Sequence, residues 1–257
     1  MKALGRWLVL AVLAGLALQL YFVARIALMT VVNPESTAFQ RSEAWGVAQN
    51  TGAMKWHQQW VPYAQISDHL KRAIIASEDA SFIVHEGVDM DALEKAWDKN
   101  AQAEKRAAQS INRLAERPSS TAAIKPPRII GGSTITQQLA KNLFLSGERT
   151  LLRKGQELLL TLMLEALLGK QRILEIYLNN VEWGEGVFGA EAAAQYYYRK
   201  PAARLNATEA ARLAGVRARS ITWTVYVFVA FTAAVAGLMT AANVSAADAN
   251  QAGLFIE

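Results

Sequence analysis

Three stretches of this 257-residue sequence hold residues whose types and spacing suit chemistry. In the first, SEDASFIVHEGVD (77–89), Glu78 and Asp79 follow directly on the apolar run within ISDHLKRAIIASEDASF. A carboxylate leaving the apolar end of a helix is partly stripped of water, a setting that suits general acid–base work. Taken alone, the plainer reading of this segment is a solvated charge at a helix end. In the second stretch, GGSTITQQLAKNLFL (131–145), the glycine pair frees the backbone to turn and lets a ligand approach closely. Ser133 or Thr134 then caps a helix, and Thr134 with Gln137 fits the capping box T-x-x-Q. Such a helix start presents free backbone N–H groups to an anion.

Cations gather around that start. Lys125, Arg128, Lys141, Arg149, Arg153 and Lys154 are offset by a single acid, Glu148, over residues 125–154. The excess points to phosphate or pyrophosphate; the alternative is an ordinary capped helix with a basic face. Nucleic acid is a poor candidate, because no aromatic interleaving or reading motif accompanies the charge. In the third stretch, LLRKGQELLLTLMLEALLGK (151–170), Glu157 and Glu165 interrupt a helical run that is apolar nearly all round. A buried carboxylate needs a partner or a proton. Arg153, four residues before Glu157, offers the simple answer. Two carboxylates on separate segments with cations between them also suit glycosyl transfer. One acts as base on an attacking hydroxyl, and the cations take up charge on a phosphate leaving group.

The elements that must position these residues are helices. Helical spacing begins at Ile66, continues through an Ala-, Gln-, Glu-, Lys- and Arg-rich segment at 89–118, and returns at 134–145, 150–169, 171–181, 189–198 and 207–215. PSSTAAIKPPR (118–128) reads as a loop, residues 33–65 as extended or loop structure, and no alternating strands or repeats stand out. Within 173–215 most residues read as core, with Asn179 and Glu182 as helix-end caps. Ahead of all this, Trp7–Ala24 is an uncharged 18-residue run, close to the ~20 a helix needs to cross a bilayer. Lys2 and Arg6 favour a cytoplasmic N-terminus, and Arg25 suits the outer interface. A cleaved signal peptide is the rival reading, but the run is longer than a typical signal core and no small-x-small site follows it cleanly.

Composition narrows the field further. With no cysteine, disulfide scaffolds, thiolate metal sites and cysteine nucleophiles are excluded. The three histidines show no metal-ligand spacing. A 52% hydrophobic fraction excludes an intrinsically disordered chain, and a net charge of +5 is too modest to name a partner.

Four motifs in order resemble those of the peptidoglycan glycosyltransferases, specifically the monofunctional biosynthetic transglycosylases. They are EDASFIVHEGVD (78–89), GGSTITQQLAKNLFL (131–145), RKGQE (153–157) and ILEIYLNNVEWGEGVFG (173–189). The resemblance implies a mainly α, lysozyme-like domain with a membrane-associated small lobe, behind an N-terminal transmembrane helix. It implies polymerisation of lipid II into β-1,4 glycan, with release of undecaprenyl pyrophosphate, on the outer face of the bacterial cytoplasmic membrane. By motif position, Glu78 is the base on the acceptor hydroxyl and Glu157 assists on the donor side. Ser133, Gln137, Lys141, Arg149, Arg153 and Lys154 match positions that hold the sugar–pyrophosphate. A divalent cation, Mg or Mn, accompanies the resemblance without a visible ligand set. The implied partners are lipid II, the growing glycan strand, the membrane and other cell-wall synthesis proteins.

The expected organisation is a cytoplasmic N-terminus at 1–6, a transmembrane anchor at 7–32, the glycosyltransferase domain at 33–215 and an atypical tail at 216–257. The tail lacks the leucine–proline signature the family carries, and 221–240 is an uncharged, membrane-seeking run suggesting a second span, a frameshift or a fusion. Two other classes compete. A lysozyme-like glycan hydrolase also uses a glutamate, but has no pyrophosphate to bind with the 125–154 cations. An inactive cell-wall scaffold would follow if the altered tail cripples the domain.

Overall fold

The computed structural model describes residues 2–54, 56–115, 132–145, 150–215, 229, 231–236 and 239. Among these the protein is mostly helical. Helix α1 (Lys2–Leu28) leads into α2 (Ala38–Thr51), α3 (Asp68–Glu78), α4 (Met90–Ala115), α5 (Ile135–Phe144), α6 (Leu151–Leu167), α7 (Lys170–Asn180), α8 (Ala190–Tyr198) and α9 (Ala207–Leu213). A small sheet of β1 (His57–Gln58), β2 (Glu182–Gly184) and β3 (Val187–Phe188) has the order β1-β3-β2, with β1 parallel and β2 antiparallel to β3.

The core forms around α7. Ile173, Leu174, Ile176, Tyr177 and Leu178 are all buried, so this helix hides nearly its whole circumference. Helix α5 lies against it and buries Ile135, Leu139, Ala140 and Leu143 on one face. Asn179, expected as a helix-end cap, is instead a buried strut. Its amide accepts from the Val61 N–H (2.9 Å) and donates to the Val61 carbonyl (3.0 Å), pinning the 57–61 segment to α7.

Helix α1 is one continuous apolar helix, and its stretch Gly5–Leu28 is long enough to cross a membrane. It ends at Leu28, with turns at 29–31, so the helical part of the expected 7–32 anchor is shorter at its outer end. Residues 5–18 are exposed, whereas Phe22, Ile26 and Met29 join the domain core. Helix α1 is thus docked onto the domain without an intervening linker. Phe22 meets Phe144 edge to face at 5.3 Å, and Arg172 donates to the carbonyls of Met29 and Val32.

Two expectations need correction. Residues 33–65 are not all extended or loop, because α2 occupies 38–51, opened by a Thr37–Gln40 capping box and closed at Gly52 with φ +69°. Its single buried apolar side chain, Ala44, leaves too little periodicity to read. The strands, two or three residues each, are likewise too short for alternation to show. As for the tail, only 229, 231–236 and 239 are described. Val229, Phe231, Val235 and Met239 are exposed there; the rest of 216–257, and with it the run 221–240 as a whole, lies outside the described residues.

Candidate active site

Glu78 is the last residue of α3 and is exposed on the wall of an open cleft of about 950 Å³. The other walls are the loop after α3 (Asp79, Ser81, His85), the first turns of α4 (Asp91, Lys95, Lys99) and the approach to α5 (Gly132, Ser133, Thr134). The exposure of Glu78 fits the plainer reading of this helix end, a solvated charge, rather than a partly desolvated carboxylate. The Gln138 side-chain amide donates to Glu78 Oε2 at 2.9 Å, and the Tyr177 hydroxyl donates to Gln138 Oε1 at 3.1 Å. Burial, with the carboxyl groups of Glu78 and Asp79 adding to it, pushes the Tyr177 phenol far above its usual value. Tyr177 therefore stays a donor, which fixes the Gln138 amide with its N–H toward Glu78. Glu78 Oε1 takes no hydrogen bond from the described residues and is available to a ligand.

Asp79 turns inward. Its oxygens meet His85 Nε2 at 2.9 and 3.0 Å, and Oδ2 accepts the Ile135 N–H at 3.0 Å. His85 Nδ1 accepts the Gly87 N–H at 3.0 Å, so the ring proton sits on Nε2, facing Asp79. This side chain ties the end of α3 to the start of α5. Thr134 adds a second tie by donating to the Gly87 carbonyl at 2.6 Å. Gly87 itself has φ +89°, and a Cβ there would stand 2.8 Å from Thr161 Cγ2 on α6. The EGVD loop is therefore clamped between α5 and α6, and only glycine fits.

The expected capping box is present: Thr134 Oγ1 accepts the Gln137 N–H at 3.2 Å, and Gln137 Oε1 accepts the Thr134 N–H at 3.1 Å. Gln137 is thus buried and committed to the cap, while Ser133 lines the cleft beside Glu78. Lys141 is exposed near the end of α5, and Arg149 lies outside the described residues. Arg153, Lys154 and Glu157 form a separate cluster on α6. Glu157 is buried, with Arg153 Nη1 at 2.8 Å from Oε2 and Lys154 Nζ on Oε1. The i−4 pairing legible in the sequence is therefore formed. Glu157 does not line the cleft that holds Glu78. Glu165, the other carboxylate of this helix, is a strut that accepts from Thr136 Oγ1 (2.6 Å) and Lys170 Nζ (2.8 Å).

Sequence reading missed Gln138, Tyr177, Lys95 and Lys99. The paired glutamines of TITQQLAK and two lysines four residues apart on α4 were the available signals. No group of three His, Asp or Glu side chains stands ready to hold a cation among the described residues. Asp79 is taken by His85 and Ile135, and Asp89 by Ser81 and the Ala92 N–H at 2.7 Å. Those two bonds also hold the Asp89 carboxyl below its ordinary value.

An open cleft bearing the oriented, accessible carboxylate of Glu78 thus lies on a helical domain docked to an apolar helix long enough to cross a membrane. Comparison gives the family. The model described as Transglycosylase matches residues 46–112 and 117–237. A protein of Burkholderia orbicola named biosynthetic peptidoglycan transglycosylase is 52% identical over 216 residues, covering 82% of this chain and 79% of the relative. Namesakes in Burkholderia lata and Burkholderia thailandensis are each 53% identical, covering 81% and 83% of this chain and 78% and 76% of their own lengths. The chain belongs to the transglycosylase family. The family match runs past residue 215 into the stretch set aside above as an atypical tail.

Proposed function

We propose that this protein is a membrane-anchored peptidoglycan glycosyltransferase that polymerises lipid II into β-1,4 glycan strands and releases undecaprenyl pyrophosphate. The observation that carries the reading is Glu78, held by Gln138 and Tyr177 with one oxygen free over the cleft. In the reaction, Glu78 takes the proton from the acceptor hydroxyl as that oxygen attacks the anomeric carbon of the donor. The bond from that carbon to the pyrophosphate oxygen breaks, the pyrophosphate leaves with the electron pair, and single displacement turns an α-linked donor into a β-linked product. Cations on the donor side balance the charge that develops on the leaving group. Arg153 and Lys154 on α6 and Lys141 on α5 serve there. Glu157 holds the two α6 cations in place and assists the donor side through them.

The α1 helix anchors the domain in the bacterial cytoplasmic membrane, with Lys2 and Arg6 inside and the cleft on the outer face. On α6, Leu151, Leu152, Leu158, Leu159 and Leu162 are exposed, an apolar surface suited to the lipid boundary beside the anchor. The test is full-length protein in detergent with labelled lipid II. Glycan polymer supports the proposal. Cleavage of preformed glycan instead makes the protein a hydrolase, and neither activity makes it a scaffold.

A further inference from the structure

The transmembrane helix touches the domain along a stripe at Gln19, Phe22, Ile26 and Met29, spaced three and four residues apart. Three of these are apolar core residues. The fourth is an amide between the uncharged run 7–18 and Arg25, and it follows directly on residues 5–18, which are all exposed. Its partner is Gln156 on α6. Gln19 Nε2 donates to Gln156 Oε1 at 2.9 Å, and Gln156 Nε2 donates back to Gln19 Oε1 at 3.2 Å. Each amide satisfies the other in both directions, so neither is left unpaired away from water.

Depth follows from helix geometry. Gln19 lies six residues before Arg25, or about 9 Å deeper along α1. With Arg25 at the outer interface, Gln156 sits below that interface too. Gln156 follows Arg153 and Lys154 and immediately precedes Glu157 on the same helix. We propose that the Gln19–Gln156 pair is a positioning device that registers α6, and with it Arg153, Lys154 and Glu157, to the bilayer depth set by α1. A leucine pair would pack as well but would let the two helices slide, whereas a reciprocal amide pair has one register. Phe22 and Arg172 hold the outer end of α1, so without the glutamines the inner part of the helix pivots about Phe22. This inference rests on the proposed function, in which the α6 cations meet a pyrophosphate tethered in the membrane.

The test compares wild type with Gln19→Leu, Gln156→Leu and the double variant, all reconstituted in lipid vesicles. With lipid II carrying its full polyprenyl chain, KM is expected to rise about three- to tenfold in the double variant and at least as much in each single variant, which also leaves one amide without its partner. With the same proteins transferred to detergent micelles and given a short-chain analogue, KM is expected to stay at the wild-type value, since depth no longer matters there. A second measurement needs no activity. The chain has no cysteine, so spin labels at Val12→Cys on α1 and Ala207→Cys on α9 report one distance. That distance is expected to be narrow in wild type and broad in the leucine variants. Unchanged KM with the full-length lipid, an equal rise with both substrates, or an unchanged distance distribution overturns the proposal. If wild type makes no polymer, the proposed function fails, and the distance measurement still decides the fate of the pair.

Discussion

Replacing Asp79 with alanine removes the one side chain that joins the end of α3, the His85 loop and the start of α5. Its carboxyl group is almost wholly buried and takes contacts from His85 Nε2 (2.9 and 3.0 Å) and the Ile135 N–H (3.0 Å). Alanine leaves both donors without a partner, at about 1–3 kcal/mol each. The expected loss is therefore about 2–6 kcal/mol, a large share of the ~5–15 kcal/mol that holds a domain together. Asparagine is the informative control. Its single oxygen can accept from Ile135 or from His85, but its NH₂ then faces the other donor. His85 cannot escape by moving its proton to Nδ1, because that nitrogen accepts the Gly87 N–H. Asp79→Asn is thus expected to lose roughly half as much as Asp79→Ala. Denaturant titration of the detergent-solubilised chain, followed by tryptophan fluorescence, measures both. A loss below about 1 kcal/mol for alanine, or asparagine matching wild type, would refute the reasoning.

Two further outcomes are expected. Burial, joined by the nearby carboxyls of Glu43 and Glu185, raises the Glu182 carboxyl above its ordinary value, against a smaller opposing bond from the Gly186 backbone. Since the folded-state value exceeds the unfolded one, Glu182 contributes nothing where both states are protonated and destabilises the fold as pH rises through the folded value. Glu182→Gln should therefore raise the melting temperature at pH 7 and leave it unchanged in acid; a gain of equal size at both pH values would contradict this. Lys95 and Lys99 are the lysines on the α4 wall of the Glu78 cleft. Replacing either with alanine should raise KM for lipid II about three- to tenfold with kcat little changed, and should flatten the salt dependence of KM. KM at the wild-type value in both variants would show that these charges only face solvent.

The capping box of α5 was legible because Thr134 and Gln137 are three residues apart, so local chemistry alone builds it. The cationic cluster around Glu157 was legible for the same reason, since Arg153 and Lys154 lie within one turn of it. The support of Glu78 was not. Gln138 and Tyr177 are 60 and 99 residues away in sequence, and only the packing of α5 and α7 brings them to it. The same limit hid Gln40, whose T-x-x-Q signature at Thr37 repeats that of α5 and whose amide reaches the Asn180 carbonyl across the core. Asn179 reads as a helix-end cap in one dimension and is a strut to Val61 in three. The exposure of Glu78 matches the plainer reading of its segment, a solvated charge at a helix end, but an apolar run does not show how that last turn meets a cleft.

The most direct test of the account is the lipid II turnover of Glu78→Gln. The side chain keeps its size, and its amide oxygen can still accept from the Gln138 N–H, so the fold and the melting temperature should be those of wild type. What it loses is the base. The expected result is a fall in kcat of about 10²–10⁴-fold with lipid II binding retained. A well-folded Glu78→Gln protein that polymerises lipid II within about tenfold of the wild-type rate would contradict it.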